Sequence, residues 1–191
     1  KKPQVGYLRT LAAEPVIALR PTLVIADGDA GPPAVIRQIQ ESGVRLVLLA
    51  KDPSLAGVYE KIQRIAELVG REEAGEALAA GIRADMRTLA KALARKSERP
   101  RVLFLLSVGR GSPLGGGGET HADSIITLAG GVNAAAGFAG YKAIPPEGVV
   151  AARPDVILVV DRTFEALGGA SGILARPEIA ATPAGRARRI I

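Results

Sequence analysis

One eight-residue pattern occurs twice in this chain, and each copy runs directly into an apolar stretch. Glu14-Pro15-Val16-Ile17-Ala18-Leu19-Arg20-Pro21 precedes Leu23-Val24-Ile25-Ala26, and Glu147-Gly148-Val149-Val150-Ala151-Ala152-Arg153-Pro154 precedes Val156-Ile157-Leu158-Val159-Val160. Glutamate opens both copies and Arg-Pro closes both, with the same spacing. Each body is long enough for about two helical turns, which the proline after arginine must end. The apolar runs are continuous rather than alternating, as expected for strands covered on both faces of a parallel sheet. A helix-strand unit used twice predicts two similar α/β lobes.

The intervening sequence fits that plan. Residues 23–26 read as a strand, Asp27 to Gly31 as the loop at its C-terminal end, and 34–41 as a helix with Val35, Ile36 and Ile39 on one face. Gly43 stops that helix and 44–49 is a second buried strand, completing a β-α-β unit. A further helix spans 55–69, and Gly70 ends it. From 71 to 96 there is no proline, the composition is rich in Ala, Leu, Glu, Arg and Lys, and Ala77, Leu78, Ile82, Met86, Leu89 and Leu93 form a stripe. Such a helix spans about 38 Å, enough to bridge two lobes. The expected organisation is therefore an N-terminal lobe at 1–70, a backbone helix at 71–96, and a C-terminal lobe at 97–191.

In the second half, 101–106 opens another β-α-β series. Glycine-rich residues 107–119 read as a mobile loop at a strand's C-terminal end, where open α/β sheets bind ligands. A short helix at 122–129, a loop at 139–142, the repeated helix at 147–152 and a strand at 156–160 follow. The remainder reads as one weak helix and a fraying tail. At the other end, residues 1–9 read as an irregular loop carrying Tyr7 and Arg9.

Composition excludes several classes. Of the 191 residues, 48% are hydrophobic, enough to build a core. The apolar runs fall far short of the roughly 20 residues of a membrane-spanning helix. With no cysteine there is no disulfide framework and no thiolate metal site. A net charge of +6 suits an anionic ligand, yet three Phe and three Tyr beside scattered arginines do not make a nucleic-acid platform.

The candidate binding residues are compatible with iron chemistry. Val108-Gly109-Arg110-Gly111-Ser112-Pro113-Leu114 follows a strand but lacks the third glycine of a dinucleotide fingerprint, which disfavours a Rossmann oxidoreductase. His121 is the single histidine and cannot form a protein metal cage alone, although it can ligate a metal that brings its own equatorial ligands, as haem iron does. Tyr7 can ligate ferric iron as phenolate. Its unperturbed pKa near 10 requires stabilisation of the anion, and Arg9 supplies permanent positive charge two residues on. Tyr141, also preceded by glycine and followed by Lys142, is the rival ligand. Glu14 and Glu147, identically placed in the two copies, point to a symmetrical partner.

The segments Val5-Gly6-Tyr7-Leu8-Arg9-Thr10-Leu11-Ala12-Ala13-Glu14, Leu19-Arg20-Pro21-Thr22-Leu23-Val24-Ile25-Ala26, Leu128-Ala129-Gly130-Gly131-Val132-Asn133 and Gly140-Tyr141-Lys142 resemble those of the periplasmic haem-binding proteins of bacterial haem-uptake ABC transporters. The resemblance implies a class III periplasmic binding protein, two Rossmann-like lobes joined by one long helix, truncated here at both ends. It implies periplasmic capture of haem b in an interlobe cleft by a monomer that is not an enzyme and does not span the membrane. Tyr7 is then the axial iron ligand and Arg9 its hydrogen-bonding neighbour, while Glu14 and Glu147 dock on arginines of the inner-membrane permease dimer. The family usually has a small residue where His121 stands, so a histidine there offers a second axial ligand or a ligand to a second haem. A ferric-siderophore or cobalamin binder of the same fold is the alternative, and a haem enzyme with His121 as acid-base group the remote one.

Overall fold

The computed structural model describes residues 3–108 and 111–191. Two compact units divide the chain, Lys1–Arg83 and Ala84–Ile191.

In the first unit, a hairpin of β1 (Gly6–Tyr7) and β2 (Thr10–Leu11) replaces the expected irregular loop. It is followed by α1 (Ala13–Ala18), β3 (Val24–Asp27), α2 (Pro33–Glu41) and β4 (Leu46–Leu49). β3 and β4 pair in parallel, Val24 opposite Leu46 through Asp27 opposite Leu49, with α2 as the crossover of the β-α-β unit. Ile36 and Ile39 turn inward from α2, and Ile39 is 1% exposed; burying a side chain of that size contributes about 1.5–3 kcal/mol. Ser54 caps α3 (Leu55–Leu68) by accepting from the Gly57 amide at 3.1 Å. A Cβ on Gly75 would lie 2.4 Å from the Ala66 methyl, so glycine permits α3 to approach the start of α4 (Glu72–Leu93). α4 runs from the first unit into the second.

The second unit is built on β5 (Arg101–Ser107). One edge of β5 pairs in parallel with β9 (Val156–Val159) along residues 102–105. The other edge is shared, by β7 (Val132–Asn133) in parallel at its start and by β6 (Leu114–Gly116) in antiparallel at its end. β8 (Tyr141–Ala143) continues the sheet beyond β6. Leu103, Leu105, Val149, Ile157, Ile173 and Ile179 are fully buried around it.

Three expectations are corrected here. The glycine-rich segment is not a mobile loop: Leu114–Gly116 is an internal strand, and Gly115 to Gly117 are buried. A Cβ on Gly115 would sit 2.2 Å from Ile144 Cδ1, and one on Gly117 2.1 Å from the Phe138 carbonyl oxygen, so the run is glycine because the sheet packs tightly there. Tyr141 and Lys142, placed in a loop at 139–142, instead open β8 (Tyr141–Ala143). The tail is not frayed but folds into α7 (Asp161–Ala166), α8 (Gly169–Leu174), α9 (Pro177–Ala180) and α10 (Pro183–Arg186). Buried Ile173, Ile179, Thr182 and Ala184 tie these turns to the core. Two residues of the defective glycine fingerprint, Gly109 and Arg110, lie outside the described residues.

Candidate functional site

Tyr7 owes its position to backbone geometry. Gly6 has φ +111, a conformation that glycine adopts without strain. Tyr7 pairs with Thr10 across the hairpin, and Leu8 and Arg9 form the turn without positive φ, so this is neither of the primed turns usual for two-residue hairpins. What fixes it instead is the loop after β3: the Leu11 amide donates to the Gly31 carbonyl at 2.9 Å, and the Gly31 amide donates to the Leu8 carbonyl at 3.0 Å. Leu8, Leu11, Val16, Leu23 and Ile36 line an apolar cavity of about 520 Å³ beneath the hairpin. Tyr7 is left 68% exposed, and its hydroxyl has no hydrogen-bond partner among the described residues.

Arg9 turns to that same loop. Its guanidinium donates to Asp29 Oδ2 at 3.3 Å, and Lys51, just after β4, pairs with Asp29 Oδ1. Asp27 Oδ1 accepts from the Asp29 amide at 3.1 Å while Lys61 Nζ donates to Oδ2 at 3.0 Å. The Lys51 hydrogen bond, with Arg9 assisting, holds the Asp29 carboxyl below its usual range. The Asp29 amide and Lys61 do the same for Asp27. Arg9 is thus held by Asp29, which it shares with Lys51, and is not hydrogen-bonded to Tyr7. Asp29 and Lys51 were not singled out in the sequence. Charged residues just beyond the two strand ends were the available signal.

In the second unit, His121 is the exposed first residue of α5 (His121–Leu128). Thr120 caps the helix, accepting from the Asp123 amide at 3.1 Å and donating to the Gly117 carbonyl at 2.8 Å. Asp123 accepts from Asn133 Nδ2 at 2.9 Å, and Asn133 also bonds the Gly116 carbonyl and the Ala135 amide. The asparagine of the Gly-Gly-Val-Asn motif is therefore a buried clasp joining β6, α5 and β7. Tyr141 pairs with Gly116 and packs edge-on against Phe104, with centroids 6.4 Å apart. A Cβ on Gly116 would meet Ala122 at 3.0 Å, Phe104 at 3.1 Å and Tyr141 at 3.3 Å, so Tyr141 and the turn carrying His121 converge on one glycine. Lys142 lies over the Phe138 ring, 5.6 Å from its centroid.

Glu14 and Glu147 occupy the first turns of α1 and α6 (Pro146–Ala151), whose boundaries fall at the same positions of the repeat. Val16 and Val149 are buried beneath them. Both carboxylates are exposed, without hydrogen bond or ion pair among the described residues. No cluster of three or more His, Asp or Glu able to hold a metal occurs among the described residues. An iron bound here would have to bring most of its own ligands.

The fold and these sites define a binding protein of mixed α/β type. Residues 1–191 match the periplasmic binding protein family, and the chain belongs to it, with the fold of its class III members. It is similar to the periplasmic heme-binding protein RhuT from Roseiflexus sp. RS-1, solved in apo form, with 44% identity and a TM-score of 0.92 over 99% of this chain and 73% of that one. The periplasmic heme-binding protein BhuT, solved in complex with two hemes, is 39% identical with a TM-score of 0.94 over 99% of this chain and 72% of that one. A cobalamin-binding protein of Halobacterium salinarum is 30% identical over 84% of this chain and 45% of its own length. The chain spans about half the length of the curated relatives it matches. The family and the solved relatives are binding proteins, and no helix among the described residues is long and apolar enough to cross a membrane.

Proposed function

We propose that this protein captures haem in the periplasm, as a monomer, and delivers it to an inner-membrane ABC permease without chemistry on the cargo. The observation that carries the reading is Tyr7: an exposed phenol with no hydrogen-bond partner among the described residues, on a hairpin pinned by backbone hydrogen bonds, two residues before Arg9, whose guanidinium shares Asp29 with Lys51. Ferric iron in a porphyrin brings four equatorial nitrogens and needs only an axial ligand, which a phenolate supplies. Arg9 favours that anion electrostatically and, with Lys51, suits the carboxylates of the haem edge. The likeness to RhuT and BhuT supports the same ligand. His121 offers a second axial imidazole, and Glu14 and Glu147 the contacts to the permease.

Hemin titration followed by absorbance tests the reading: a Soret band with ferric-phenolate features at one or two equivalents is expected, and its absence would refute it. Size-exclusion chromatography of the holoprotein checks the monomer. The cobalamin-binding relative favours one competing ligand. Calorimetry with cyanocobalamin should therefore show no binding, whereas tight binding without hemin binding would replace haem as the cargo.

A further inference from the structure

The repeat holds more than its glutamates. In both copies the residue after the helix C-cap is an arginine with left-handed backbone, Arg20 at φ +45 and Arg153 at φ +46. Glycine is the usual occupant of such a position because a Cβ is strained there. Helix termination needs only the backbone, through the Arg20 amide donating to the Ile17 carbonyl at 2.9 Å and the Arg153 amide to the Val150 carbonyl at 3.1 Å. At α6 the last carbonyl is already served by a different guanidinium, since Arg101 donates twice to the Ala152 oxygen at 2.9 and 3.1 Å. Arg20 and Arg153 are exposed and make no side-chain hydrogen bond or ion pair among the described residues. Glu119 and Arg188 share the left-handed backbone, but neither recurs at a matched position.

We propose that Arg20 and Arg153 form the second half of a docking surface that the protein presents twice. In each copy a carboxylate stands in the first turn, Glu14 or Glu147, and a guanidinium stands just past the last turn, about 9 Å further along the axis at ~1.5 Å per residue. The partner it fits is a protein surface that offers a basic residue to the glutamate and a carboxylate to the arginine, at two places. Opposite charges at the two ends fix the direction in which each helix docks, because a reversed helix would set like charges against each other. This rests on the permease-docking reading and extends it from one charge per copy to two of opposite sign.

The test is Arg20→Gly with Arg153→Gly in the haem-loaded protein, bound to its permease complex in proteoliposomes. Glycine removes the side chain and suits the backbone, so hemin binding should be unchanged and the variant should fold. Association should slow by about tenfold and lose part of its salt dependence, as for loss of steering charges, while Arg20→Lys with Arg153→Lys should retain most of the rate. Glycine and lysine variants that both dock like the wild type, while Glu14→Arg with Glu147→Arg abolishes docking, would overturn the proposal and leave the glutamate reading standing. If the glutamate variant also docks normally, both fall.

Discussion

Two Gly-Tyr segments, one in each unit, stand shortly before the two copies of the repeat and have become opposite things. Gly6-Tyr7 forms the rim of a small hairpin, with the ring in solvent and the neighbouring cations held by Asp29. Gly140-Tyr141 enters an antiparallel sheet, with the ring on Phe104 and the backbone paired to Gly116. The helices that follow are alike to the residue. The repeat thus keeps its helices while the segments ahead of it differ: Tyr7 stands 68% exposed on its hairpin, whereas Tyr141, 39% exposed, rests edge-on against Phe104.

That contrast can be broken by substitution. The largest effect is expected from Gly117→Ala, whose Cβ has no room beside the Phe138 carbonyl; overpacking against backbone should cost about 3 kcal/mol or more, read as a lower urea midpoint. Gly6→Ala, whose Cβ would make only ordinary contacts at 3.5 and 3.8 Å, should cost only about 1–2 kcal/mol of left-handed strain. Next, Asn133→Ala leaves the buried groups it serves unpaired and should destabilise by about 1–3 kcal/mol, whereas Asp29→Asn, replacing an exposed, solvent-screened carboxylate, should leave the urea midpoint nearly unchanged. Equal losses from the two would mean that the first-unit cluster is as structural as the second.

The smallest effect is in acid. Folding lowers the Asp27 carboxyl below its ordinary 3.8, through the Asp29 amide and Lys61. Its contribution is therefore fully present above the unfolded value and is lost as pH falls through the folded one. Asp27→Asn should cost up to about 1 kcal/mol at neutral pH, within the range of partly exposed pairs, and distinctly less at about pH 3, below the unfolded value of 3.8. Urea unfolding at the two pH values checks this, and a penalty undiminished in acid would contradict it.

Much of the fold was legible because buried parallel strands and amphipathic helices leave long, one-sided patterns. β3, β4, β5 and β9 are continuous apolar runs, and the repeat gave α1 and α6 to within a residue. β6 was hidden because a strand of glycines has no side chains to alternate, and its identity is set by Ile144 and Phe138, distant in sequence. The hairpin at Tyr7 lacks the Asn-Gly type of turn that announces one, its anchor being Gly31. The tail looked weak because three of its four short turns start at a proline or glycine and gain order only by packing. Tyr7, Arg9 and the paired glutamates could be singled out as candidates by type and spacing. Asp29, Lys51 and the clasp at Asn133 were not, since their meaning lies in contacts between separate elements.

The central claim is that Tyr7, not Tyr141, takes the iron. Parallel hemin titrations of the wild type, Tyr7→Ala and Tyr141→Ala, read by absorbance, test it most directly. Tyr7→Ala is expected to abolish the ferric-phenolate features and weaken binding by at least about tenfold, while Tyr141→Ala keeps those features. A phenolate spectrum that survives in Tyr7→Ala and disappears in Tyr141→Ala would contradict the account.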